Sequence, residues 1–253
     1  MNDVIIVGMG QMGATFAHGL LRTGHSVHPV TRSKAPAVVA EAVPEPVLVL
    51  LAVGEAALPS LLAELPEPWR DRVALLQNEL LPVDWRGYTD PTVAVVWFEK
   101  KKRKPLHPIL STPIAGPNAA RLVAALEAID LPAHTVEKDA LLFELVRKNV
   151  YILTANAAGL EVGGTVGALF AEHRGLAEPI ARDVLALQAH RAEQELPTDR
   201  LLDGLRAAFE ADPEHGCRGR SAPARLRRAL EYGRRAKVAT PALDALERHL
   251  DPA

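Results

Sequence analysis

The sequence predicts an α/β protein: a mixed-sheet domain with covering helices, followed by an all-helical domain. Three observations carry this. A glycine-rich turn stands between an apolar run and a helical stretch close to the start of the chain. Short apolar runs then alternate with helical stretches as far as residue 136. From Lys138 onward the spacing is helical throughout, with no further β-rich run. The chain therefore divides into residues 1–137 and residues 138–253.

Residues 4–7 read as a strand that meets Gly8-Met9-Gly10-Gln11-Met12-Gly13. An apolar-periodic helix follows over about residues 14–22, Gly24-His25 closes it, and residues 26–31 form a second strand. A G-x-G-x-x-G pattern is weak by itself. Set between strand and helix, it is the fingerprint of a Rossmann-type nucleotide-binding domain. Gly8 would make the tight turn, Gly10 would let a pyrophosphate approach the backbone, and Gly13 would pack helix on strand. The helix N-terminus offers N–H groups and a partial positive charge to the same anion. The six residues Gly8, Met9, Gly10, Gln11, Met12 and Gly13 are the expected cofactor loop.

The end of the second strand bears on which dinucleotide is bound. An NAD binder usually carries a carboxylate there for the ribose 2′-OH. Here the chain reads Thr31-Arg32-Ser33-Lys34, with no carboxylate before Glu41. A guanidinium at Arg32 suits a 2′-phosphate, with Thr31 and Ser33 adding hydroxyl donors. The expectation is NADP(H); the alternative is that Arg32 and Lys34 are solvated residues opening the next helix.

Further α/β units follow. Residues 35–42 read as a helix broken by Pro44-Glu45-Pro46, and residues 47–53 as a continuous apolar strand covered on both faces. Residues 55–65 read as a helix, and residues 73–76 as a buried strand running into Gln77-Asn78. The β-rich residues 92–98 lead into Lys100-Lys101-Lys102-Arg103-Lys104, a solvated hairpin or strand end, or alternatively a phosphate or partner contact. Residues 109–114 can pair back, Gly116-Pro117-Asn118 starts a helix to about residue 128, and residues 134–136 form an edge strand. In the second half, residues 139–162 form a helix that Gly163-Gly164 ends or bends. Helices are expected at 176–195, 199–211, 222–237 and 241–250, with start signals at Pro197-Thr198-Asp199 and Thr240-Pro241. A helical domain docked at the carboxyl ends of the strands would close a substrate cleft.

Composition narrows the function classes. At 253 residues with 48% hydrophobic and 24% charged residues, the chain has a globular balance. A formal net charge of −2 argues against a nucleic-acid binder. One cysteine, Cys217, excludes a disulfide framework and a thiol-rich metal site, and suits a reducing cytoplasm. No signal peptide or membrane-length apolar run is evident. Aromatic residues make up 4%, so Leu, Val, Ile and Ala must build the core. The nine histidines, among them His18, His25 and His28, form no zinc spacing and are expected in surface or structural roles; no metal is expected. Cys217 lies in an arginine-rich stretch that would lower its pKa, although an exposed, functionally idle thiol is the expected reading.

Hydride transfer belongs to the cofactor, and the protein supplies position, charge and a proton. The proton donor expected in the helical half is Lys148, in a strongly apolar stretch. Lys148, Ile152 and Asn156 share one helix face, and Asn156 lies about 12 Å further along the axis at 1.5 Å per residue. A partly desolvated lysine can polarise a carbonyl and protonate the forming alkoxide. The alternative is that Lys148 extends its head to water over a covered stem.

These residues resemble the ketopantoate reductase family, within the wider 6-phosphogluconate and β-hydroxyacid dehydrogenase-like superfamily. The glycine loop and following strand resemble both groups. Leu75-Leu76-Gln77-Asn78 is similar to the family's Gln-Asn-Gly segment, and residues 148–160 to its catalytic-lysine helix. Residues 237–246 are similar to its C-terminal helix entry. The resemblance implies a reductase of a small 2-keto acid or related carbonyl compound, with Lys148 as general acid and Asn78 near the nicotinamide ribose and the reacting carbon. It implies substrate contacts from Asn156, Asn149 and Ser221, a cofactor contact near Val53, and Arg32 on the 2′-phosphate. By analogy with such relatives the assembly would be a homodimer. The chain departs from the pattern at Glu79 (family glycine), Gly54 (family lysine) and Ile152 (family asparagine), and in a shortened loop over residues 214–223. The departures leave open an NADP-binding paralogue acting as a sensor or interaction protein, and a β-hydroxyacid or imine reductase.

Overall fold

The structure, a computed structural model, describes residues 2–100 and 103–250. Lys101 and Lys102 of the basic run lie outside the described residues. Two compact units divide the chain, residues 1–144 and residues 145–253.

The first unit is built on a seven-stranded sheet of order β2-β1-β3-β4-β5-β8-β9. Its strands are β1 (Asp3–Val7), β2 (Ser26–Val30), β3 (Leu48–Leu51), β4 (Val73–Leu75), β5 (Thr92–Ala94), β8 (Thr112–Ala115) and β9 (Ala133–Thr135). Neighbours from β2 to β5 are parallel, β8 runs antiparallel to β5, and β9 is parallel to β8. The order reverses at β1, which has β2 on one side and β3 on the other. That is the switch point at which open α/β sheets bind ligands.

Both faces of the central strands are buried, as their unbroken apolar runs predict. Val4, Ile6, Leu48, Leu50, Ala74 and Ile114 share one core with Phe16 and Leu20 of α1 (Gln11–Arg22) and Leu122, Ala125 and Leu126 of α4 (Ala119–Glu127). The alternate residues Ile5, Val49, Leu51 and Leu75 are buried toward the other face. The short helices α2 (Pro36–Ala42) and α3 (Leu58–Glu64) complete the early crossovers. Gly19 lets α1 approach α4: a Cβ there would collide with the Ala125 carbonyl oxygen.

The β-rich run at 92–98 is not one strand. Val95 still donates to the Pro113 carbonyl, but the Trp97 amide turns to the Thr112 hydroxyl at 3.1 Å, which ends the ladder. Phe98–Lys100 (β6) then pairs antiparallel with Leu106–Pro108 (β7) as a separate hairpin. Lys100 and the exposed Arg103 and Lys104 thus flank a hairpin tip.

From Lys138 the regular elements of the described residues are all helices, joined by loops, with one isolated bridge between Thr165 and Gly216. The helices are α5 (Lys138–Glu161), α6 (Val166–Glu172), α7 (Arg174–Ala192), α8 (Thr198–Ala211), α9 (Ala222–Ala236) and α10 (Pro241–Asp244). The sequence pattern passed over α6, whose N-cap is the Thr165 side chain accepting from Ala168 at 3.3 Å. The expected helix at 241–250 stops at Asp244. The Asp183 carboxylate of α7 caps its N-terminus, accepting from the Ala242 and Leu243 amides at 2.7 and 3.0 Å. The chain then tightens into a 3₁₀ turn over Glu247–His249. No helix among the described residues is long and apolar enough to cross a membrane.

Candidate functional site

The glycine loop occupies the carboxyl end of β1. Gly8 has φ of 94°, and a Cβ there would lie 2.7 Å from the Ala52 carbonyl oxygen and 3.1 Å from Val53 Cγ1. Only glycine fits this turn against the end of β3. A Cβ on Gly13 would strike the Gly8 carbonyl oxygen, so α1 can seat itself on the turn only without a side chain there. Gly10 is different in kind. It caps α1 with φ of −72°, and a Cβ on it would meet nothing within 4 Å. Its backbone faces open space, with exposed Met9 and Gln11 on either side. The first turn of α1 has no acidic residue, and no side chain caps it. A pyrophosphate fits this cradle, and the residues present are those a dinucleotide requires.

At the end of β2, Thr31, Arg32, Ser33 and Lys34 are all exposed. The Thr31 and Ser33 hydroxyls are 3.0 Å apart, and the Lys34 amide donates to the Thr31 carbonyl at 3.0 Å. The turn carries this hydroxyl pair and the exposed Arg32 on the side of β1 away from β3.

The opposite side is built from the ends of β3 and β4. Gln77, buried, donates from Nε2 to the carbonyl oxygens of Leu51 and Val53, the latter at 3.2 Å. Asn78 donates from Nδ2 to Glu55 Oε1 at 3.2 Å. Glu79, where a glycine was the family pattern, adopts the left-handed φ of 65° that glycine takes without strain. Sequence reasoning singled out Asn78 but assigned nothing to Gln77 or Glu55.

The second unit carries the other expected residues. Lys148 is 7% exposed, and its Nζ lies 5.4 Å from the Tyr151 ring centroid, a cation–π contact within the helix. Asn149 is turned toward α7, where its Nδ2 donates to Gln188 Oε1 at 2.8 Å; both side chains are buried. Asn156 is buried too. Its Nδ2 donates to the Cys217 carbonyl at 2.9 Å, and its Oδ1 accepts from Arg225 Nη1 at 2.9 Å. Ser221 is exposed at the start of α9, where its carbonyl accepts from the Arg225 amide. Arg225 was not anticipated, although the signal was present. Ala222, Arg225, Leu226, Ala229, Leu230 and Gly233 form the buried stripe of α9 at helical spacing, with one cation among apolar residues.

Cys217 corrects an expectation. It is fully buried rather than exposed, and burial pushes its thiol up to about 11 despite the neighbouring arginines. Of the histidines at 18, 25 and 28, two hold structural bonds: His28 pairs with Asp3 at 2.9 Å, and His25 bonds Thr23 at 3.0 Å and Arg121 at 2.6 Å. Among the described residues, no three His, Cys, Asp or Glu side chains are grouped to hold a metal.

The sequence matches no family model and no curated protein. Solved structures do match over nearly the whole chain. The 2-dehydropantoate 2-reductase from Methylococcus capsulatus is 17% identical with a TM-score of 0.69, over 96% of this chain and 94% of that one. The enzyme of the same name from Geobacter metallireducens GS-15 is 20% identical with a TM-score of 0.68, over 98% of both. A D-mandelate dehydrogenase in a ternary structure with NADH and anilino(oxo)acetate is 15% identical with a TM-score of 0.69, over 98% of this chain and 96% of that one. The fold is that of the ketopantoate reductases: a Rossmann-type α/β unit followed by a helical one.

Proposed function

We propose that this chain is a nicotinamide-dinucleotide-dependent reductase of a small carbonyl compound. The glycine turn carries the reading. Gly8 and Gly13 are locked against protein backbone while Gly10 opens onto free space, a division of labour suited to a bound pyrophosphate. The likeness in fold to ketopantoate reductases and to a D-mandelate dehydrogenase holding NADH supports it.

NADP(H) is the proposed cofactor. Arg32 would grip the 2′-phosphate, with Thr31 and Ser33 beside it and no carboxylate to repel it. Met9, Gln11 and Met12 would flank the pyrophosphate, and Val53 would border the cofactor at the end of β3. A bound reduced nicotinamide supplies the hydride. Lys148 is the proposed general acid: its ammonium polarises the carbonyl and passes a proton to the oxygen as the alkoxide forms, giving a hydroxyl. Low exposure suits it to that work, since a charge shielded from bulk water pulls harder on a bound carbonyl oxygen. A 2-keto acid or related carbonyl compound is the proposed substrate class.

The second reading is a nucleotide-binding protein without turnover. It is favoured by Asn156, whose amide is engaged at both ends by Arg225 and the Cys217 carbonyl, and by Ile152 in place of a polar residue. Oxidation of NADPH, with NADH in parallel, separates the readings when run against ketopantoate and panels of 2-keto acids, β-keto acids and imines. The reductase shows turnover that falls about 100-fold or more in Lys148→Ala, with unchanged nucleotide affinity. Tight nucleotide binding without turnover on any panel selects the second reading. A chain that binds neither nucleotide sinks both.

A further inference from the structure

Two consecutive side chains leave β4 and close on the chain where it leaves β3. Gln77 ties down the Leu51 and Val53 carbonyls, and Asn78 reaches Glu55. This same exit segment supports the glycine turn, because Ala52 and Val53 are what a Cβ at Gly8 would strike. Glu79 turns the backbone through a left-handed φ immediately after Asn78. Position 78 is thereby held by its neighbours on both sides.

The strand order gives the pair its place. With the pyrophosphate at Gly10 and the 2′-phosphate end toward Arg32 just beyond β2, the other half of a dinucleotide must cross β3 and β4. Asn78 and Glu55 stand at the ends of those two strands. The polarity of their contact follows from chemistry. An ionised carboxylate accepts and cannot donate, so the asparagine amide must turn its NH₂ group to Glu55. The reverse orientation would set the Oδ1 lone pairs against the carboxylate. Oδ1 is left on the side away from Glu55.

We propose that Glu55 is a positioning residue that fixes the Asn78 amide, so that position 78 presents an acceptor to the nicotinamide-side ribose. The inference rests on the dinucleotide reading above. A ribose hydroxyl is the donor that such an acceptor takes. Asn78 then orients the cofactor through its oxygen.

A charge-conserving exchange tests this, read by NADPH titration through nucleotide fluorescence, with thermal melts of each variant. Asn78→Asp sets two carboxylates against each other and should weaken NADPH binding about tenfold or more. Glu55→Ala should weaken it by a similar factor by releasing the amide. Adding Glu55→Gln to Asn78→Asp rebuilds the contact with its polarity reversed, because the new amide donates to the new carboxylate. Position 78 still offers an acceptor, so affinity should return to within about threefold of the unaltered protein. Variants that melt like the unaltered protein but show no recovery in the double variant overturn the inference, as does Glu55→Ala binding at full strength. Either result leaves the function reading standing. An unaltered chain that binds no dinucleotide removes both.

Discussion

Asn156 and Arg225 meet inside the helical unit, where Arg225 Nη1 donates to Asn156 Oδ1 over 2.9 Å. The other end of the same amide donates to the Cys217 carbonyl, so one side chain of α5 joins α9 to the loop before it. Buried polar groups of this kind are costly to leave without their partners. Asn156→Ala should therefore destabilise the protein by about 2 kcal/mol or more, read as a lowered urea midpoint at constant m. The contrary pattern, an unchanged midpoint with a raised KM, would assign Asn156 to the substrate instead.

Arg32 decides between the two nicotinamide cofactors if the charge argument at the end of β2 is sound. It is exposed and carries no structural burden that a stability measurement would register. Arg32→Ala should weaken NADPH about 10- to 100-fold, the worth of a charge-assisted contact, and leave NADH nearly unchanged. Paired titrations with the two nucleotides check it. Equal losses for both would mean that Arg32 does not read the 2′-phosphate.

The parts legible in the sequence were those with short-range causes. Gly8, Gly10 and Gly13 are set by a single turn and the helix it starts, and the apolar runs of β1 and β3 announce a sheet covered on both faces. What stayed hidden depends on partners distant in sequence. The helix that begins at Pro241 takes its N-terminal cap from Asp183 of α7, 59 residues from Ala242. Glu55 and Asn78 are 23 residues apart, and neither residue alone signals the other. Cys217 misled for the same reason: its arginine neighbours in sequence are not what surrounds the thiol in space. Arg225 is a different case, since its place in the apolar stripe of α9 was readable by counting.

The glycines of the nucleotide loop should separate binding from folding. Gly10 has an ordinary φ and open space where a Cβ would go, so Gly10→Ala should melt close to the unaltered protein. It should still lose nucleotide affinity, about tenfold or more, because the methyl group occupies the anion's approach. Gly13→Ala should do the opposite first. Its Cβ collides with the Gly8 carbonyl, which must shift or be strained, and the expected cost is about 1–3 kcal/mol of stability. Melting curves and titrations on both variants check the contrast. Similar melting losses in both would show that Gly10 is structural as well.

Cys217 supplies the last prediction, on the stability of the helical unit against pH. The loop carrying it lies directly on α5 at Gly159, where a Cβ would stand 2.8 Å from Cys217 Cβ. Burial favours the neutral thiol and raises its pKa from an ordinary 9.0 to about 11. With the folded pKa above the unfolded one, this contribution is fully present below pH 9.0 and is lost as pH rises through about 11. Over that window the protein should lose stability, and Cys217→Ala should lose less. At pH 8 a thiol reagent should leave the native protein unlabelled and label one thiol once urea unfolds it. Rapid labelling of the native chain would place the thiol at the surface and remove the pH argument with it.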